Sequence, residues 1–170
     1  AADAKPSTAL RQGRKSSMRL AIDAVRVSTR LGRTDRWGTW GARVGIGRND
    51  YRIAPGLYGV SQPDARSPVL VSANYKLSFD VLRSNLTGID AWILVVETYG
   101  INVWCAAGKG SFCAAEVAER ANGVGLAKIV SHRRLILPQL SANGVSARQV
   151  RKLCGFEVLW GPVRAADIPA

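Results

Sequence analysis

The chain has 170 residues, 47% of them apolar, which is enough to bury a core and excludes a chain disordered throughout. Its net charge of +12 is uneven: residues 1–60 hold twelve Lys/Arg against four Asp/Glu, and residues 61–170 hold twelve against eight. The longest apolar run is the six residues 91–96, too short to cross a bilayer, and AADAKPSTALRQGRKSS at the start lacks the apolar stretch of a signal peptide.

In chain order, residues 1–15 read as a disordered basic arm, and residues 16–31 as a helix with Met18, Ile22 and Val25 on one face. The Gly- and Trp-rich stretch that follows alternates at Trp40, Ala42, Val44 and Ile46, turns at Asn49-Asp50 and resumes at Tyr51 and Ile53, the pattern of a hairpin. Residues 61–68, with two prolines, read as a boundary, so the expected plan is an arm (1–15), a helix and hairpin segment (16–67) and a main domain (68–170). In that domain PVLVSA (68–73) and AWILVVE (91–97) are apolar on both faces, as strands inside a parallel sheet are. YKLSFDVLRSNL (75–86) between them has Leu77, Val81 and Leu82 at helical spacing. CAAEVAERA (113–121) reads as a helix stopped by Asn122-Gly123, and AKIV and RLILP as one or two further strands. Residues 146–154 open with a Ser146/Gln149 capping box, and FEVLW (156–160) is a final strand. Helices alternating with doubly buried strands predict an α/β fold, Rossmann-like, with a mostly parallel sheet and flanking helices.

Open parallel sheets bind ligands beyond the carboxyl ends of their strands. Here those ends are Ser72, Ala73 and Asn74; residues 98–102; Leu137, Pro138 and Gln139; and Gly161 and Pro162. The second of these leads directly into INVWCAAGKGSF (101–112). Asn102 is a good N-cap, which makes Cys105 the third residue of a helix. The positive end of the helix dipole and Lys109, four residues on, both favour the thiolate, the form that ligates metals or attacks electrophiles. Gly108 and Gly110 each cost about 1 kcal/mol in a helix interior relative to alanine. Close approach of a bulky partner would offset that, and Ala106, Ala107, Gly108 and Gly110 leave room for one.

Other uses of Cys105 compete. A buried structural cysteine is one. The phosphate-loop likeness of AGKGS fails at Val103 and Gly110, where that motif needs Gly and Ser/Thr. A zinc site from Cys105, Cys113, Cys154 and His132 lacks CxxC spacing, and a Cys105–His132 nucleophile pair has no supporting signature. The three cysteines are odd in number and too few for a disulfide framework, which favours a reducing compartment.

NVWCAAGK (102–109) resembles the cap-helix motif of the mercury-methylating corrinoid protein (HgcA) family. The resemblance extends to RIAPGLYGVSQPDARSPVLVSANYKLSFDVLR, HRRLILPQLSANGVSARQV and GFEVLWGPVRAADIPA, and runs from about Arg33 to the last residue; Cys113 departs from the motif. A more distant likeness is to the corrinoid domain of the large subunit of the corrinoid iron–sulfur protein of acetyl-CoA synthesis. The resemblance implies a cobalamin cofactor with Cys105 as lower axial ligand of its cobalt. It places Asn102, Val103, Trp104, Ala106, Ala107, Gly108 and Lys109 on a cap helix beneath the ring.

The implied activity is corrinoid-dependent methyl transfer to mercuric ion. That electrophile must take the methyl with carbanion character, and a thiolate opposite the methyl donates density to cobalt. A ferredoxin-like iron–sulfur reductant and a methyl-folate-linked donor are implied as partners. So is a membrane-embedded protein on the cytoplasmic side of the inner membrane, whose anionic surface the basic N-terminal segment is expected to face. Two alternatives stay open: a corrinoid methyl carrier of acetyl-CoA-type one-carbon metabolism, and a basic nucleic-acid-binding module whose case rests on charge alone.

Overall fold

The computed structural model describes residues 25–32 and 52–168. The arm, most of the 16–31 helix and the hairpin between Trp40 and Tyr51 lie outside the described residues. Six strands form one sheet: β1 (Val25–Val27), β2 (Gly56–Val60), β3 (Val69–Ala73), β4 (Ala91–Val96), β5 (Arg134–Leu137) and β6 (Glu157–Trp160). Their order is β1-β2-β4-β3-β5-β6. β3, β4, β5 and β6 run parallel, while β2 is antiparallel to β4 and parallel to β1. The sheet is therefore mixed but mostly parallel, as expected. β2, on the amino-terminal side of the proline segment, is paired along its whole length with β4.

Alternation explains why β3 and β4 read as unbroken apolar runs. Val69, Val71, Ala73, Trp92, Leu94 and Val96 belong to one buried cluster, and Leu70, Ala91, Ile93 and Val95 to the other. Side chains one residue apart on a strand point to opposite faces, so a strand covered on both sides has no polar position to spare. α1 (Lys76–Ser84) covers the second face through Phe79, which meets the Tyr58 ring edge-on at 5.2 Å. α2 (Val103–Gly108), α3 (Ala114–Gly123), α4 (Leu126–Ile129) and α5 (Ala147–Cys154) follow β4 and β5, and each contributes buried residues to the first cluster.

Several local expectations are corrected. Val25 lies on β1, not on a helix: VRV pairs with residues 58–60 of β2, and Arg83 of α1 donates to the carbonyl of Ser28 just beyond it. Arg83 and Asp80 are buried together, with Nε to Oδ1 at 2.8 Å and Lys76 Nζ 2.6 Å from the other carboxylate oxygen. The AKIV stretch forms no strand: Gly125 takes a left-handed conformation (φ 62°) and starts α4, whose Leu126 is buried, and only Val130 beyond it is extended. The helix that Asn122-Gly123 was expected to stop includes both residues and ends at Gly123, with its cap at Val124.

Candidate functional site

The carboxyl ends of β3, β5 and β6 and the start of α2 surround a cavity of about 410 Å³. Leu77, Ser78, Val81 and Leu82 of α1 form one wall, and the carboxy-terminal segment through Val163, Ala165 and Ile168 closes the other. The apolar stripe on α1 thus faces this cavity, while Phe79 is buried in the core and Leu82 packs against it as well. Among the expected site residues, Ser72, Asn102, Val103, Trp104, Leu137, Pro138, Gly161 and Pro162 line the cavity together. Ala73, Asn74, Cys105, Ala106, Ala107, Gly108, Lys109 and Gln139 are not in its wall.

α2 is built as the sequence suggests. The Asn102 side chain accepts from the Cys105 backbone N–H at 2.9 Å, which makes Cys105 the third helical residue, and its side chain is half-buried. A six-residue helix has two sides here. Val103, Ala106 and Ala107 are buried, and Trp104 is 63% exposed, with Gly108 and Lys109 also facing solvent. The buried side explains the glycine at 144: a Cβ there would stand 2.5 Å from the Ala107 carbonyl oxygen, so the 139–144 turn lies directly on the helix backbone. The exposed side is open, since a Cβ at Gly108 or Gly110 would meet nothing within 4 Å.

Gly110 is not in the helix interior. It sits beyond the cap at Lys109 with φ 77°, where Gly110 N–H bonds Ala107 O and Ser111 N–H bonds Ala106 O, a Schellman stop that only glycine adopts without strain. Cys113 is the N-cap of α3 and makes no side-chain cap bond.

The β4–α2 turn carries a feature the sequence did not reveal. Asn74, buried at the end of β3, accepts through Oδ1 from Thr98 N–H (3.1 Å) and Gly100 N–H (2.9 Å) and donates through Nδ2 to Glu97 Oε1 (2.7 Å). The same Glu97 oxygen accepts from Tyr99 N–H at 2.6 Å. Asn74, expected to touch a cofactor, uses these polar atoms on the turn.

Two competing uses of Cys105 fall away. His132 precedes β5, with Nε2 donating to the carbonyl of Ser67 (2.9 Å) just before β3, while its Nδ1 lies 3.3 Å from Arg134 N–H. It therefore sits at the amino edge of the parallel strands, and Cys105 follows the carboxyl end of β4. Among the described residues no three His, Cys, Asp or Glu side chains gather to hold a metal, which removes the zinc site.

Fold and site together define a class: an α/β domain with an apolar cleft and a capped, cysteine-bearing helix at the carboxyl edge of its sheet. The chain belongs to the CO dehydrogenase/acetyl-CoA synthase delta subunit family, whose pattern matches residues 47–170. It is similar to the acetyl-CoA decarbonylase/synthase complex subunit gamma of Archaeoglobus fulgidus, 32% identical over 123 residues, covering 71% of this chain and 26% of that protein. The Methanopyrus kandleri subunit gamma is 31% identical over 72% of this chain and 26% of its own length. The subunit gamma 2 of Methanosarcina thermophila is 35% identical over 66% and 25%. The chain thus spans about a quarter of the length of these relatives.

These likenesses correct one expectation. A membrane-embedded protein at the cytoplasmic side of the inner membrane does not stand: the matched relatives are subunits of an acetyl-CoA decarbonylase/synthase complex. No described helix is long and apolar enough to cross a membrane. The membrane-facing role of the basic N-terminal segment rested on that placement and goes with it.

Proposed function

We propose that this chain is a corrinoid-binding domain that carries a methyl group in acetyl-CoA-type one-carbon metabolism, with Cys105 as the lower ligand of cobalt. The observation that carries this reading is the setting of Cys105. It is a half-buried thiol in the first turn of a short capped helix, beside open ground at Gly108 and Gly110, and among the described residues it belongs to no group of three or more His, Cys, Asp or Glu that could hold a metal ion. A soft sulfur donor outside any such cluster would suit a metal that brings most of its own donors with it, and does not suit a bare ion that needs three or four protein ligands. A bound corrinoid supplies the methyl-carrying cobalt chemistry, and the chain supplies the donor sulfur and its orientation.

On this reading the two sides of α2 have separate tasks. Val103, Ala106 and Ala107 anchor the helix in the core, while Trp104, Cys105, Gly108 and Lys109 present the surface toward the ring. The cleft beside Asn102 and Trp104, with its aliphatic lining, takes an apolar part of the ligand and excludes water there. Membership in the family and the names of the relatives support the acetyl-CoA assignment. The partners it calls for are other subunits of such a complex, a low-potential ferredoxin-like iron–sulfur reductant and a methyl-folate-linked donor.

A second reading keeps the same site and changes the acceptor. The NVWCAAGK stretch and a sulfur donor to cobalt favour mercuric ion, which takes a methyl with carbanion character. Methylated protein offered mercuric ion separates the two: methylmercury forms on the second reading alone.

Visible spectra of hydroxocobalamin with wild type and Cys105→Ala test the shared claim. Wild type should show a base-off spectrum with sulfur on cobalt, which Cys105→Ala loses. A wild-type spectrum equal to that of free cobalamin, or equal to the variant's, rules the reading out.

A further inference from the structure

Asn74 is 1% exposed and stands where β3 ends, across the sheet from the turn that joins β4 to α2. Its carboxamide serves both sides of that turn: the oxygen holds the backbone N–H groups of Thr98 and Gly100, and the nitrogen holds Glu97, which holds Tyr99 N–H. Thr98 Oγ1 lies 2.8 Å from both Asn74 Oδ1 and Ile101 O, and its single proton serves one of them at a time. The turn needs such support because Tyr99 and Gly100 are consecutive left-handed residues, at φ 57° and 72°. Glycine takes that conformation freely, whereas tyrosine there is strained and persists only where the surroundings over-determine it. A Cβ at Gly100 would also meet the Arg52 side chain at 2.7 Å, so the Arg52 side chain passes close to the turn there. Two residues beyond Gly100, Asn102 caps α2 through the N–H of Cys105.

We infer that Asn74 is a positioning residue, which through Glu97, Thr98 and Gly100 sets where α2 starts and where the sulfur of Cys105 stands. This rests on the corrinoid reading above for its purpose, but its geometry is independent of any cofactor. Outer groups that orient a metal's ligand contribute to affinity without touching the metal. Asn74 is 23 to 26 residues from the groups it binds, so it couples two strand ends rather than completing a local turn.

The test uses Asn74→Ala, Glu97→Ala and Glu97→Gln in the full chain, with Cys113 and Cys154 replaced by serine so that a single thiol remains. The first readout is the alkylation rate of Cys105 by iodoacetamide without cofactor. Asn74→Ala and Glu97→Ala should react about threefold faster or more, because the released turn opens more easily. Glu97→Gln keeps the acceptor for Asn74 and Tyr99 and should match the parent. The second readout is hydroxocobalamin titration, where the two alanine variants should bind about ten- to a hundredfold more weakly with a reduced sulfur-coordination spectrum. Circular dichroism establishes that each variant is folded, and if Asn74→Ala is not, the Glu97 pair decides. Equal alkylation rates in all folded variants overturn the positioning role. Failure of the parent to bind cobalamin refutes the corrinoid reading, while the alkylation rates still decide the role of Asn74.

Discussion

α2 and α5 are built from the same local parts but carry their cysteines at opposite ends. Each opens on a polar N-cap, Asn102 and Ser146, whose side chain accepts the backbone N–H three residues on. Each stops at a left-handed glycine, Gly110 and Gly155, and each carries a cysteine. In α2 the cysteine lies in the first turn, just past the carboxyl end of β4. In α5 it is the last helical residue, before the chain enters the amino end of β6. Cys154 Sγ donates to the carbonyl of Val150 at 3.2 Å, and burial pushes its thiol up. Capping and stop signals therefore do not distinguish a candidate ligand from a packing cysteine. The edge of the sheet that the helix end faces does, because in parallel sheets ligands gather at the carboxyl edge.

The sharpest way to probe this contrast is to separate the two sides of α2. Ala107→Leu adds three carbons at a position 5% exposed, on the buried side of the helix. Overpacking of this kind costs about 1–3 kcal/mol, measured as a lower urea midpoint, and its effect on any ligand is secondary. Gly108→Val adds its bulk where nothing lies within 4 Å, so stability should change by less than about 0.5 kcal/mol while cobalamin binding is lost. If Gly108→Val binds as wild type does, the open side of α2 is not the ring-facing surface.

The contrast also shows what a sequence can and cannot carry. β3 and β4 were legible because burial on both faces leaves runs such as VLVSA and AWILVV with hardly a polar residue. α2 was legible in its cap and in the place of Cys105, since a cap is a contact three residues long. The small residues of α2 were legible, but the close approach of Gly144 to the Ala107 backbone was not, because Gly144 lies far along the chain. β1 is three residues long and owes its conformation to β2, more than thirty residues away, so its own sequence read as helix. AKIV read as strand because its β-branched residues dominate a short run, and the left-handed Gly125 and buried Leu126 decide otherwise. The Asn74 hub joins residues that no local pattern relates.

The two caps offer a smaller effect. Asn102→Ala removes a bond at 2.9 Å and Ser146→Ala one at 3.4 Å. N-cap loss typically costs about 1 kcal/mol, and the longer bond at Ser146 puts its loss nearer roughly 0.5 kcal/mol. Both are read from chemical denaturation. Only Asn102→Ala should also weaken cobalamin binding, because only that helix presents Cys105; a matched loss in Ser146→Ala would erase the functional difference between the helices.

The smallest effect expected is a pH dependence from Cys154. Burial raises its pKa, opposed by the Phe156 backbone N–H, so the folded protein holds the thiol proton more tightly than the unfolded chain does. The sign follows from linkage: this contribution to stability is fully present below the ordinary thiol range, near pH 8.5, and is lost as pH rises through the higher folded value. Tyr58 is also raised by burial, but from about 10, so its loss begins at higher pH. Denaturation midpoints of wild type and Cys154→Ala between about pH 7 and 10 isolate the term, since both proteins share every other titrating group. The wild-type midpoint should fall more steeply than the variant's above about pH 8.5, by a small margin because the side chain is only partly buried. Parallel curves would mean that the thiol at the amino edge titrates alike folded and unfolded, and the environmental difference drawn between the two helix ends would then not include Cys154.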